Sequence, residues 1–163
     1  MAKLGDVIEY LKYNKVRYEM IEHDPAYSAQ EAAEALQHQK KNPAKTHIIH
    51  ADGKYCMIII PADNRIDDSL LLDVLKAKNA RLASEEDIQL IFPGCEVGTM
   101  PPFGNLFALP VYIEKMLADD DIIIFSACSH TRSIRLKMYD FLRLVKPVIA
   151  EFSHSRFEIQ KPQ

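Results

Sequence analysis

Residues 46–61 read THIIH-ADGK-YCMIIIP, two runs of apolar and β-branched side chains joined by a turn that contains Asp52-Gly53. A turn of this kind between two β-rich runs is a strong short-range signal for an antiparallel hairpin. It commits the centre of the chain to a sheet. Upstream, Val7, Ile8, Leu11 and Tyr18 predict a short amphipathic helix, then a strand over residues 17–22 that runs into the turn His23-Asp24-Pro25. Ser28 and Glu31 form a capping box ahead of AAEALQ, and Pro43 stops any helix before the hairpin. Downstream, Asp67-Asp68-Ser69 opens a helix over LLLDVLKAK, and Ser84 opens a shorter one whose Glu85, Glu86 and Asp87 suit the positive end of the helix dipole. Strands at 111–113, 121–127 and 133–137 and a helix at 139–145 complete the pattern. Strands that follow one another directly, with helices between groups of them, indicate an α+β fold rather than a doubly wound parallel sheet.

Length and composition narrow the class. At 163 residues and 48% hydrophobic, the chain suffices for one domain with its own core, and it is too apolar for a disordered segment. We expect a single domain over 1–163. No apolar run approaches the ~20 residues of a membrane-spanning helix. Asp6, Glu9 and Lys12 interrupt the stretch that a signal peptide would keep apolar. Cys56, Cys95 and Cys128 are odd in number and lack a CxxC spacing, so neither a disulfide framework nor a zinc site is expected. The expectation is a soluble, reduced, cytoplasmic monomer without membrane attachment.

Charge is informative once divided. The net value is -3, but residues 130–163 hold 7 basic and 3 acidic groups, whereas residues 46–129 hold 6 and 13. The whole chain is not basic enough for general nucleic-acid binding, which rests on phosphate neutralisation. A local basic face reaching an RNA end would need the tail and Lys40-Lys41-Lys45 to lie together; a solvated charged surface is the simpler reading.

Four places could carry chemistry. Residues 93–104, PGCEVGTMPPFG, place three Gly and three Pro in twelve positions. Such a loop can hold bare backbone N–H groups fixed toward an oxyanion, although a tight connector would use the same residues. It is neither a Walker loop nor a dinucleotide fingerprint. Lys45 stands at a strand entrance, where it could donate to a phosphate or carbonyl, or simply face water. Cys128-Ser129-His130 invites a nucleophile reading that strand geometry opposes, because adjacent side chains point apart. His47 and His50, three apart on a strand, face opposite sides and make no metal pair. His23, His38 and His154 carry no signal.

The ordered set of pieces is more specific than any one. Pro43-Ala44-Lys45-Thr46 leads into the hairpin, whose second strand ends Ile60-Pro61-Ala62-Asp63-Asn64-Arg65. Gly98-Thr99-Met100-Pro101-Pro102-Phe103-Gly104, Leu109-Pro110-Val111-Tyr112, Ser129-His130 and Ser133-Ile134-Arg135 follow in that order. Over about residues 17–150 the chain resembles the YbaK/prolyl-tRNA synthetase-associated editing domain family. The resemblance implies one α+β domain with a mixed, partly barrel-like sheet flanked by helices. It implies metal-free, cofactor-free hydrolysis of the ester joining a small amino acid to the 3′ end of a mischarged tRNA, with water attacking under assistance from the substrate itself. A synthetase is a further partner that the family would allow. Carried over, Lys45, Gly98 and His130 are the catalytic residues. Thr46, Thr99, Met100, Pro101, Pro102, Phe103, Gly104, Cys128 and Ser129 line the substrate. Cys128 departs from the family's usual glycine, and Met100 and Pro101 from its smaller loop residues. Two other readings follow from Cys128: a tRNA or aminoacyl-adenosine binding module without turnover, and a thiol hydrolase.

Overall fold

The computed structural model describes residues 4–24 and 43–155. The capping box at Ser28–Glu31 and the Lys40-Lys41 pair lie outside the described residues. The first helix, α1 (Leu4–Tyr13), buries Val7 and Leu11 completely and carries Asp6 in its first turn and Lys12 in its last. Strand β1 (Tyr18–Glu22) follows.

The expected hairpin is the centre of the molecule. Strands β2 (Ala44–Ala51) and β3 (Lys54–Pro61) pair antiparallel along their whole length, from Ala44 opposite Pro61 to Ala51 opposite Lys54. Asp52 and Gly53 turn the chain, both with positive φ. β2 begins two residues earlier than the run of β-formers suggests, so Lys45 belongs to the strand. Residues 56–61 of β3 are buried on both faces. That burial explains why the segment is continuously apolar instead of alternating.

Beyond the hairpin come β4 (Asn64–Ile66), α2 (Asp68–Leu75), β5 (Ala80–Leu82) and α3 (Glu85–Ile91). Both helices start where their caps predict. Asp67 accepts from the Leu70 N–H at 3.0 Å, and Ser84 accepts from that of Asp87 at 3.1 Å. A 3-10 turn (Gly104–Phe107) precedes β6 (Val111–Glu114), a one-turn helix α4 (Lys115–Ala118), β7 (Ile122–Ser129), β8 (Arg132–Lys137) and α5 (Met138–Val145). The last elements are β9 (Val148–Ala150) and β10 (Ser153–Ser155).

The strands form a mixed sheet in the order β1-β8-β7-β2-β3-β6-β9, with β5 also on β2, and β4 pairs with β10 beside it. Pairs β3–β6 and β6–β9 are parallel, as is the single contact of Ala44 with Phe125 between β2 and β7. This is the α+β arrangement expected, a mixed sheet flanked by helices. The period-two alternation of strands splits the core in two. Ala44, Ile48, Met57 and Ile59 face the larger cluster, with Phe92, Phe103, Phe125 and Phe141. Ile49, Cys56, Ile58 and Ile60 face a smaller one capped by Leu71 and Phe152. No helix among the described residues is long and apolar enough to cross a membrane.

Candidate functional site

The parallel contact at Ala44 sets the entrance of β2 against β7, and Lys45 is the next residue along. Its ammonium donates to the carbonyl of Gly98 at 2.8 Å. Burial holds the Lys45 pKa below the ordinary lysine value, because a charged amine loses hydration there. Gly98 has φ +83°, in the left-handed region, and a Cβ added to it would lie 3.3 Å from the Lys45 Nζ. Two independent reasons therefore favour glycine: backbone conformation and the close approach of the amine.

The loop is fastened to the end of β7. The Cys128 N–H donates to the Thr99 carbonyl at 3.0 Å, and the Glu96 N–H donates to the Cys128 carbonyl at 3.2 Å. The Glu96 carbonyl accepts both the N–H and the hydroxyl of Thr99. The Glu96 carboxylate accepts the backbone N–H of His130 at 2.6 Å, a charge-assisted bond. A disulfide joins Cys95 to Cys128. The chain thus brings Lys45 and Gly98 into direct contact and sets the His130 backbone one residue's reach away, through Glu96.

Several sequence expectations need correction. No cysteine pair was expected from the spacing, yet the fold brings Cys95 and Cys128, 33 residues apart, to a Cα–Cα distance of 4.2 Å and joins their sulfurs. Cys128 Sγ is committed to that bond, which removes the free thiol that a thiol hydrolase requires. Cys128 also has φ +61°, in the left-handed region that favours glycine. Its side chain leads to Cys95. Phe103 is fully buried in the core and packs edge-on against Phe125 and Phe141 at 5.5 Å centroid separation. Gly104 is also a packing residue, because a Cβ there would collide with the Val111 side chain. Met100, Pro101 and Pro102 are buried as well.

Thr46 is buried on the opposite face of β2 from Lys45, toward the larger core, and its hydroxyl has no hydrogen-bond partner among the described residues. Thr99 is buried and bonded within the loop. The Ser129 hydroxyl is engaged with Thr131, 2.9 Å from its hydroxyl and accepting its N–H at 3.1 Å. His47 and His50 do face opposite sides. His50 lies against the Tyr55 ring at 4.6 Å, but His47 shares the Lys45 face and is more than an ordinary strand residue. Burial first, then the Lys45 charge, pull its pKa down to about 4. Sequence reasoning also missed Glu96, an acid inside a Gly/Pro loop whose role depends on which strand end the loop meets.

The basic C-terminal segment is partly neutralised. Arg135 pairs with Glu19 at 3.1 Å and Arg132 approaches Glu22 at 3.9 Å, both across the β1–β8 ladder. Those two cations are matched on the sheet rather than left as a basic face.

The α+β fold thus sets a half-buried lysine amine on the carbonyl of a positive-φ glycine. The family model of the aminoacyl-tRNA editing domain matches residues 23–144, and the chain belongs to that family. Among curated relatives, the multifunctional Ser/Thr-tRNA deacylase ProXp-y of Escherichia coli K12 is 30% identical over 105 residues, 61% of this chain and 60% of that protein. A proline–tRNA ligase of Halalkalibacterium halodurans is 28% identical over 71% of this chain but only 19% of its own length. The chain therefore spans less than two thirds of either relative. A solved protein proposed as a trans-editing enzyme for prolyl tRNA synthetase superposes with a TM-score of 0.77 at 18% identity, covering 93% of this chain and 97% of that one, which shows a shared fold.

Proposed function

We propose that the protein is an aminoacyl-tRNA deacylase that hydrolyses the ester between a small amino acid and the 3′-terminal ribose of a mischarged tRNA. The observation that carries this reading is the hydrogen bond from the partly desolvated Lys45 amine to the carbonyl of Gly98, a residue kept in the left-handed region. Family membership supplies the substrate class. An aminoacyl ester is already activated, so positioning and stabilisation of developing charge do more for its hydrolysis than a strong base. On substrate arrival the amine exchanges the Gly98 carbonyl for an oxygen of the ester or of the terminal nucleotide. Water adds to the ester carbonyl, assisted by the substrate's neighbouring hydroxyl or amine. Collapse of the tetrahedral intermediate expels the ribose oxygen, which takes up a proton, and releases the free amino acid. In this reading His130, in the β7–β8 turn, is a further residue lining the substrate. No metal, cofactor or protein nucleophile enters this scheme. The partner is the charged tRNA end, delivered to a monomer with or without a synthetase.

A panel of Ala-, Cys-, Ser- and Thr-charged tRNAs, incubated with the protein and a chelator, tests the reading. We expect release of at least one small amino acid, and Lys45→Ala to slow it by about a hundredfold or more, the scale of losing one positioned charge donor. Normal hydrolysis by Lys45→Ala overturns the site. Absence of release from every charged tRNA, with the tRNA end still bound, favours a binding module without turnover.

A further inference from the structure

His130 lies outside the sheet: β7 ends at Ser129 and β8 begins at Arg132, leaving His130 and Thr131 as the turn between them. The register of that ladder is irregular between Ser126 and Ser129, so strand pairing alone does not fix where the turn points. Further bonds help to do so. The Thr131 N–H goes to the Ser129 hydroxyl, the Thr131 carbonyl accepts from the His23 N–H at 2.9 Å, and the His130 N–H goes to the Glu96 carboxylate. The last comes from the loop that carries Gly98. The disulfide stops at Cys128, two residues short of His130, and the Glu96 side chain spans the gap.

We propose that Glu96 is a positioning residue: its carboxylate, an exposed side chain reaching back to the His130 N–H, makes the Gly98 loop and the His130 turn move as one body. Its backbone serves the same end, donating to Cys128 and accepting from Thr99. The residue needs an acceptor oxygen at this reach rather than a charge facing the substrate. This inference rests on the deacylase reading for its kinetic consequences, because near-attack geometry is sensitive to displacements of about 1 Å.

The experiment compares Glu96→Ala with Glu96→Gln, whose amide oxygen can accept the same bond. In deacylation of the most responsive charged tRNA, Glu96→Ala should lose about tenfold or more in kcat with KM changed less than about twofold, while Glu96→Gln recovers at least about a third of the parent rate. Backbone amide exchange followed by NMR reads the tether without reference to activity: His130 N–H exchange should accelerate about tenfold in Glu96→Ala and stay near the parent value in Glu96→Gln. Equal kinetic losses in the two variants, a loss confined to KM, or unchanged His130 exchange in an active Glu96→Ala protein each overturn the proposal. A parent protein that releases no amino acid overturns the deacylase reading instead, whatever the exchange data show.

Discussion

Lys45 and His47 sit two apart on one face of β2, and their coupling makes His47 a reporter for the site. Its folded pKa is about 4, against 6.5 when exposed. A depressed histidine binds its proton more readily when unfolded, so stability rises with pH across this interval. The contribution is complete above about pH 6.5 and is lost as pH falls toward about 4, on the order of 3 kcal/mol in all. Asp52 and Asp67, whose carboxylates accept backbone N–H groups, add acid sensitivity of their own nearer pH 4 and below. The urea midpoint should therefore fall between about pH 7 and about pH 5 in the parent, and His47→Gln should flatten that slope. An equal slope in both proteins would place the acid sensitivity elsewhere. At this scale a lysine before a β-run and a Gly/Pro loop were local signals that fitted a surface lysine and a tight connector as well as a site. The family resemblance singled out Lys45 and Gly98, and the fold sets the two in contact. Glu96 and His47 were opaque, since the role of each comes from a neighbour distant in sequence or from burial.

At the scale of elements, the hairpin, the two capped helices and the β7–β8 pair follow from local chemistry and were legible. Strands β4, β5, β9 and β10 were not. Each is three residues long and takes its shape from its partner rather than from its own propensity. Glu114 shows what fastens the corner where β6 meets β9 and β10. It is buried at the end of β6, and one carboxylate oxygen accepts the N–H groups of Phe152 and Ser153 at 3.0 and 2.8 Å and the Ser153 hydroxyl at 2.6 Å. The other oxygen accepts the Lys115 N–H at 2.9 Å and starts α4. Nothing in VYIEK distinguishes this glutamate from a solvated one. Glu114→Ala leaves those buried donors unpaired, and we expect a loss of about 2–4 kcal/mol in denaturant unfolding. Deacylation per folded molecule should change little, because the corner lies away from the Gly98 loop. A surface-like cost below about 0.5 kcal/mol would contradict the buried network.

For the molecule as a whole, the loop bearing Gly98 crosses to the far end of β7, and the Cys95–Cys128 disulfide closes that excursion over 33 residues. An odd cysteine count without paired spacing hides such a bond, because only the sheet order brings the two positions together. The third cysteine does not compete. Cys56 is buried in the smaller core, where burial pushes its thiol up to about 11, so it offers little thiolate for exchange. Closing a span of this length restricts the unfolded chain by about 3–4 kcal/mol in the chain-entropy account. That is a large share of the 5–15 kcal/mol or so of a typical domain. Chemical denaturation with and without a dithiol reductant should show a lower midpoint in the reduced protein. Cys95→Ser should reproduce that midpoint and no longer respond to reductant. The hydrogen bonds from Cys128 to Thr99 and from Glu96 to Cys128 use backbone atoms alone and do not depend on the sulfurs. The site should therefore remain assembled in the folded fraction, and the reduced protein should lose stability well before it loses deacylation. A midpoint indifferent to reductant would mean that the two sulfurs are not joined in solution.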